Sequence, residues 1–311
     1  MMKNLYSKKM QPITKMTTRF LSPYNHEITY KSSSGTLFPK ELNAVEIKYY
    51  IDNSTELELG QKICFEHLGD FECRLCQKMA KKLFSGFCYQ CLTTKAQADR
   101  CMLNPHLCHY TKGTCREPKF GKDFCYKHHC VYISFTDKFK IGITRENQVP
   151  IRWADQGATC AMIIAKVSSR HQAGAIEHFL KTELSDKTHW SKMLKAGNLQ
   201  PSYDDIMKTF LSAKELLKRS FETSKEFIVS SPKNIEFEDN IILCEEAKIL
   251  FLSYPLKDIP EKIKSTHLEK ESSISGTITG IKGQYLFLDN EKVMNVRRHE
   301  GFKVNLKILS N

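Results

Sequence analysis

The chain has 311 residues and twelve cysteines, with 41% hydrophobic residues, 26% charged residues and a formal net charge of +12. This length excludes a small scaffold held by disulfides alone, and the longest apolar runs, such as AMIIA, are too short for a membrane-spanning helix. The positive charge indicates a nucleic acid partner, DNA or RNA, and no membrane partner, although lysines that serve only solubility would give the same excess.

The cysteines indicate metal binding. The first twenty residues carry no export signal, so we expect a cytoplasmic protein whose thiols stay reduced. Ten of the twelve cysteines fall between Cys64 and Cys130 instead of being scattered through the chain. This concentration predicts one or two structural Zn²⁺ ions in place of disulfides.

The expected fold class is α+β, with five segments in chain order. Residues 1–62 contain the alternating stretches HEITYKSS and AVEIKYYID, which predict strands, and residues 266–311 repeat that pattern. Between these β-rich ends lie a zinc-binding module at 63–130, a mixed core at 131–200, and a helical segment with a linker at 201–265. The two ends have the composition to pair in one sheet, which the sequence alone does not decide.

Two C-x-x-C units, CRLC and CYQC, form the strongest motif of the zinc-binding module. Tetrahedral zinc needs four ligands at about 2.3 Å, and each unit delivers two thiolates from one compact turn. The pattern predicts a zinc ribbon, with a redox-active C-x-x-C as the alternative. The predicted ligands are Cys73, Cys76, Cys88 and Cys91.

A second cluster follows at 101–130 and offers more candidate ligands than one ion needs. Its cysteines are interspersed with His106, His109, His128 and His129. The preferred quartet is Cys108, Cys115, Cys125 and His129, because its Cys-x₃-His end resembles half of a structural zinc site. Cys101 is the first substitute, and the alternative is that these side chains cap loops or fill a small core.

Residues 131–200 predict two strands, a helix, a strand and a helix. The strands are VYIS, KIGITR and AMIIAKV, the first helix begins near Pro150, and the second is HQAGAIEHFLKTEL. Arg152, just inside the first helix, and Glu177, beside an apolar stripe on the second, do not follow from packing.

These residues resemble the GIY-YIG endonuclease superfamily over about 70 residues. In that family a first-strand Tyr, an aromatic-Ile-Gly on the second strand, a helical Arg and a metal-binding Glu form the site. Tyr132, the pair Ile141 and Gly142, Arg152 and Glu177 occupy these places, whereas Val131 and Lys140 replace the family's first Gly and second Tyr. More widely, strings such as CRLC, GTCREP and RWADQGA resemble an uncharacterised bacterial zinc-ribbon family with such a core.

The resemblance implies a division of tasks in phosphodiester hydrolysis. Glu177 would bind Mg²⁺ or Mn²⁺, and Arg152 would hold a phosphate through its planar fork. Tyr132 would orient or deprotonate the attacking water, and Lys140 would supply charge in place of the missing tyrosine. The structural alternatives are an ordinary half-buried tyrosine, an Arg152–Asp155 ion pair and a Glu177–Lys181 ion pair.

Further polar and aromatic side chains in this region are candidates for contacts with nucleic acid. We expect these contacts from Arg145, Trp153, Gln156 and Trp190, with Asp186 and His189 nearby. The alternative is that they cap helices or fill the core.

The clearest predicted helix starts after Ser202, with Asp204 and Asp205 at its positive end and an apolar stripe through Ile206, Phe210 and Leu217. We interpret it as scaffold, and KDIPEKIKSTHLEKESS after it as a linker. Three functions stay open: a metal-dependent nuclease, a non-cleaving zinc module that binds structured DNA or RNA, and a protein-interaction scaffold.

Overall fold

The computed structural model describes residues 7–21, 44–181, 189–223 and 241–309. The predicted strand HEITYKSS and Asp186 lie outside these residues. The described helices are all too short or too polar to cross a membrane. The strands are β1 (Ser7–Pro12), β2 (Thr17–Leu21), β3 (Val45–Ile51), β4 (Thr55–Leu57), β5 (Lys62–Glu72), β6 (Met79–Ala80), β7 (His129–Phe135), β8 (Phe139–Arg145), β9 (Cys160–Val167), β10 (Ile241–Leu243), β11 (Ile249–Ser253), β12 (Lys264–Thr266), β13 (Ser273–Lys282), β14 (Tyr285–Leu288), β15 (Lys292–Asn295) and β16 (Phe302–Leu309). The helices are α1 (Tyr89–Thr94), α2 (Pro118–Phe120), α3 (Ile151–Asp155), α4 (Arg170–Leu180), α5 (Trp190–Lys195) and α6 (Tyr203–Thr223).

The described strands form two curled, eight-stranded sheets in a mixed α+β fold. The first sheet has the order β1-β16-β5-β13-β14-β15-β12, with β6 paired to β5. Strand β1 runs antiparallel to β16, with Met10 opposite Asn305. The two β-rich ends of the chain therefore do meet in one sheet.

The second sheet holds the predicted core, in which β7 and β8 form a hairpin and β9 pairs with the other side of β7. Its order is β2-β3-β11-β9-β7-β8, with β10 paired to β9 and β4 to β3. The order of strands and helices from β7 to α4 is the predicted β-β-α-β-α order. Strands β2 and β3 come from the first segment of the chain, so that segment contributes to both sheets. Strand β8 is the outer strand at one end.

Strand β7 is buried on both faces because its side chains alternate between two cores. Tyr132 points into the core between the two sheets, where it meets Trp153 from α3 and Tyr49 from β3. Val131 and Ile133 point into the opposite core, which α4 and α6 cover. The helix that carries Glu177 is thereby packed on the strand that carries Tyr132.

Helix α6 begins as its sequence predicts. The backbone N–H of Asp205 donates to the Ser202 hydroxyl at 3.1 Å, which satisfies one of the unpaired donors of the first turn. The predicted stripe is buried, with Phe210 only 1% exposed against the second core.

The predicted linker contains a strand. Within it, β12 pairs in parallel with β15, opposite Val293 and Met294, and Thr266 is buried. The lysines and prolines of this stretch indicated a solvated connection. A three-residue strand at the end of a sheet needs only a few buried side chains, so its partner determines the structure more than its composition does.

Replacing Phe210 with alanine should lower the free energy of unfolding by about 3–5 kcal/mol, because a fully buried aromatic ring leaves a cavity. The neighbouring Leu211→Ala change is a matched control, because Leu211 is 56% exposed, and it should shift the value by about 0.5 kcal/mol or less. Urea denaturation measures both. Equal losses would contradict the placement of α6.

Candidate functional site

The four cysteines of the two C-x-x-C units come together as predicted. Their sulfur atoms all lie within 4.8 Å of one another, and the Sγ atoms of Cys76 and Cys88 are 3.8 Å apart. Cys73 follows the end of β5 in a tight turn, in which Gln77 N–H donates to its carbonyl at 2.8 Å. Cys91 belongs to α1. The structure thus confirms a thiol cluster that can bind a metal ion such as zinc.

The protonation of these thiols suits a cation. Burial raises the pKa of Cys73, but hydrogen bonds from neighbouring backbone N–H groups lower it to about 6. Burial and the adjacent thiols raise the pKa of Cys91 to about 12. Four thiolates at this spacing repel one another unless a cation is among them, and Zn²⁺ prefers this donor set.

The zinc-ribbon module is joined to the C-terminal part of the chain at one point near a wide cleft. Arg74, inside the first C-x-x-C unit, donates from Nη1 to Glu300 at 3.0 Å, and its guanidinium lies 4.1 Å from the centre of the Phe87 ring. Gly86 has φ +85°, and a Cβ atom there would lie 2.8 Å from Arg74 Cδ. A side chain at 86 would therefore push Arg74 away.

The second cysteine cluster forms around a different quartet from the preferred one. Cys108, Cys115 and Cys125 line a small cavity of about 20 Å³ with Cys101 as the fourth cysteine. His129 does not line it. Instead, its buried imidazole at the start of β7 bonds through Nδ1 to the Lys127 carbonyl at 2.7 Å, which corrects the preferred quartet.

A cleft of about 630 Å³ opens beside β8 and carries a strong excess of positive charge. The hairpin, α3, α4, the zinc-ribbon module and the C-terminal sheet all contribute to its walls. Its charged lining among the described residues comprises Lys15, Arg74, Lys140, Arg145, Arg152, Arg170, Lys181 and Arg297, with Asp155, Glu177 and Glu300 as the acidic members.

Tyr132 lies under this cleft and not in its wall. It is 0% exposed, and its hydroxyl donates to Gln156 Oε1 at 2.6 Å. Its neighbour across the hairpin is Gly142, where a Cβ atom would lie 2.6 Å from the tyrosine hydroxyl. Burial raises the pKa of Tyr132 to about 12, with Arg152 opposing and Glu177 adding to the rise. The predicted direct role of this hydroxyl on a water molecule is therefore corrected: Tyr132 can act only through its neighbours.

The other three predicted catalytic residues, Lys140, Arg152 and Glu177, all line the cleft. The side chain of Glu177 is 15% exposed, and Lys181 Nζ lies 3.6 Å from its carboxylate, as the structural alternative expected.

Asp155 does not take the partner that the structural alternative proposed for Arg152. Lys15 and Gln284 each donate to its carboxylate at 2.9 Å. Arg152 therefore faces the cleft beside an aspartate that is already engaged.

Lys140 titrates nearer neutrality than an ordinary lysine. Burial lowers its pKa to about 8; Asp137 opposes this shift and Arg152 adds to it. The amine is therefore mostly charged at pH 7 and mostly neutral at pH 9.

The predicted contacts with nucleic acid divide into two groups. Gln156 and Arg145 line the cleft, with the Arg145 guanidinium 4.2 Å from the centre of the Phe124 ring. Trp153 is 1% exposed and packs edge-on against Tyr132, so it belongs to the core and cannot stack on a base. Trp190 stacks on Tyr285 at 6.0 Å and joins α5 to the C-terminal sheet instead of lining the cleft.

Several cleft cations were absent from the sequence prediction. Arg170 and Lys181 were detectable, since they share one face of α4 with Glu177 at spacings of seven and four residues. Lys15, Arg74 and Arg297 carry no such signal, because each reaches the cleft from a distant part of the chain.

A family model described as "Protein of unknown function (DUF2797)" matches residues 60–304. Comparisons with curated proteins and with solved structures gave no match.

Gly142→Ala should destabilise the fold by about 1–3 kcal/mol, because the new methyl group collides with the Tyr132 ring. Denaturant unfolding in two backgrounds measures this. In a Tyr132→Ala background the same change should cost clearly less, since the collision partner is gone. Equal costs in the two backgrounds would show that the ring does not lie over Gly142.

Proposed function

The chain belongs to the DUF2797 family, and we propose that it is a metal-dependent phosphodiesterase of GIY-YIG type that acts on nucleic acid. The observation that carries the proposal is the convergence of Lys140, Arg152 and Glu177 on one basic cleft directly above Tyr132. They come from β8, α3 and α4, which are separate elements of the β-β-α-β-α unit.

The charge of the cleft supports a polyanionic substrate. Eight basic residues face three acidic ones, and two of the acids already have basic partners: Asp155 with Lys15 and Glu300 with Arg74. The remaining field favours phosphate groups, and each neutralised phosphate releases condensed counterions. An elongated strand fits a cleft of this volume better than a small anion does.

Glu177 is the carboxylate best suited to a divalent ion. Mg²⁺ commonly takes one or two protein carboxylates and completes its shell with water and substrate oxygens. Glu177 contacts Lys181 only at 3.6 Å, whereas Asp155 and Glu300 accept bonds of 2.9 and 3.0 Å. When bound there, Mg²⁺ or Mn²⁺ supplies positive charge at the reacting phosphate.

The protein residues divide the remaining work. Arg152 binds non-bridging phosphate oxygens through its fork and stabilises the charge that develops on them. Lys140 adds a second cation that titrates near pH 8. Tyr132 is a positioning residue, because its 2.6 Å bond fixes the amide of Gln156 at the cleft wall.

Glu177→Gln should reduce cleavage of labelled DNA or RNA by at least about 100-fold in Mg²⁺ or Mn²⁺, since the neutral amide is a poor ligand for these ions. Glu300→Gln is the matched control, because Glu300 lines the same cleft and its side chain is also 15% exposed. The control should cleave at nearly the original rate. Turnover that survives intact in Glu177→Gln would remove this function.

A second candidate is a module that binds nucleic acid without cutting it. The burial of Tyr132 and the lysine at position 140 favour it, because no hydroxyl of the pair reaches the cleft. Salt-sensitive binding with no turnover in either metal, on duplex, single-stranded and structured substrates, would select this candidate.

Nucleic acid affinity should fall between pH 7 and pH 9, because Lys140 loses its charge as the pH rises through its pKa of about 8. Fluorescence anisotropy at several salt concentrations measures this. The slope of log K against log salt should become shallower by about 0.7–0.9. Lys140→Arg should hold the pH 7 slope at pH 9, and Lys140→Met should give the shallow slope at both. A pH response that persists in Lys140→Met would assign it to another group.

A further inference from the structure

We propose that Cys101, Cys108, Cys115 and Cys125 bind a second Zn²⁺, and that this ion fixes the loop that holds helix α4 in place. The proposal does not depend on whether the cleft cuts nucleic acid. It concerns the loop between α1 and β7, which consists mostly of single helical turns with little core of its own.

The four cysteines enclose one space. All of them line the cavity of about 20 Å³, which has room for a single water-sized occupant. Cys125 interacts electrostatically with Cys108 and Cys115, and Cys101 interacts with Cys108 and Cys125, so the four thiols form one connected group. Gly121 closes the cavity, since a Cβ atom there would lie 3.5 Å from Cys115 Sγ and 2.5 Å from the Tyr110 ring.

The spacing of the four is regular. Six residues separate Cys101 from Cys108, six separate Cys108 from Cys115, and nine separate Cys115 from Cys125. Zn–S bonds of about 2.3 Å bring tetrahedral sulfurs to about 3.8 Å of one another. The sulfurs stand further apart here than in the first cluster, and Gly113, with φ +71°, gives the loop between them a hinge.

The histidines of the region are engaged elsewhere. His109 bonds through Nδ1 to the Thr114 hydroxyl at 2.8 Å, and its Nε2 lies 3.5 Å from Asp99. Asp99 in turn binds Arg116 Nε at 2.8 Å and accepts from Cys101 N–H at 3.1 Å. Asp99 and His109 thus shape the loop, and Cys101 is the residue that completes the sulfur set.

The loop packs on α4 through three contacts. Arg170 donates to the Met102 carbonyl at 2.7 Å, and His106 stacks on His178 at 4.2 Å. Gly174 lets the loop approach closely, since a Cβ atom there would lie 2.5 Å from Pro105 Cβ.

These three contacts span the helix on either side of Glu177 and adjoin the cleft wall, which includes Met102, Leu103 and Pro105. Because four protein ligands leave no open position, the ion is structural and not catalytic.

The metal content of the full chain tests the ligand set. We expect two zinc ions per chain in the parent protein and one in Cys101→Ser or in Cys76→Ser. His129→Asn is the matched control and should retain two. One zinc in the parent, two in Cys101→Ser with unchanged affinity against a chelator, or a loss in His129→Asn would overturn the proposal.

Two measurements cover the case in which a variant folds poorly. Zinc X-ray absorption of the parent protein should show four sulfurs and no imidazole per ion, and an imidazole contribution would overturn the quartet. Amide exchange in residues 170–180 should rise at least tenfold in Cys101→Ser while that of the first cluster stays unchanged. Unaltered exchange in α4 would reject the role of the ion in holding the helix.

Discussion

The packing of Tyr132 over Gly142 is the contact on which the architecture around the cleft depends. A buried central strand can carry a large aromatic ring on one face only if its hairpin partner leaves room, and a Cβ atom at 142 would lie 2.6 Å from the hydroxyl. The ring then fills the core between the sheets beside Trp153, and it brings the hydroxyl to Gln156. Because Val131 and Ile133 face the other way, the same strand also anchors α4. One alternating strand thus fixes both walls of the cleft.

The cleft keeps its charge because its cations come from rigid and separate places. Arg145 rests on the Phe124 ring, Arg170 is held by the Met102 carbonyl, and Arg74 is bonded to Glu300. Each cation is therefore positioned before a ligand arrives, which reduces the entropy that binding would otherwise cost. Mutual repulsion and burial act against this arrangement, and the depressed pKa of Lys140 reflects both.

Local patterns predicted local structure well. The C-x-x-C turns, the Ser202 cap of α6 and the order of elements from β7 to α4 each depend on residues that are close in sequence. The side on which a residue ends up was harder to predict. Trp153 was expected at the cleft, but the helical turn that presents Arg152 to the cleft points its neighbour into the core. His129 was chosen for its spacing, whereas Cys101 is brought in by the loop's path. The pairing of β1 with β16 and of β12 with β15 joins residues too distant for any sequence pattern to connect.

The position of β8 at the end of its sheet has a consequence for solution behaviour. An outer strand exposes unpaired backbone groups that can recruit a strand from another molecule, and natural proteins discourage this with lysine and arginine at the rim. Lys140 and Arg145 occupy that rim. Neutralising both would remove an electrostatic guard against intermolecular β-pairing, so the basic character of this edge protects the chain from self-association as well as drawing polyanions to it.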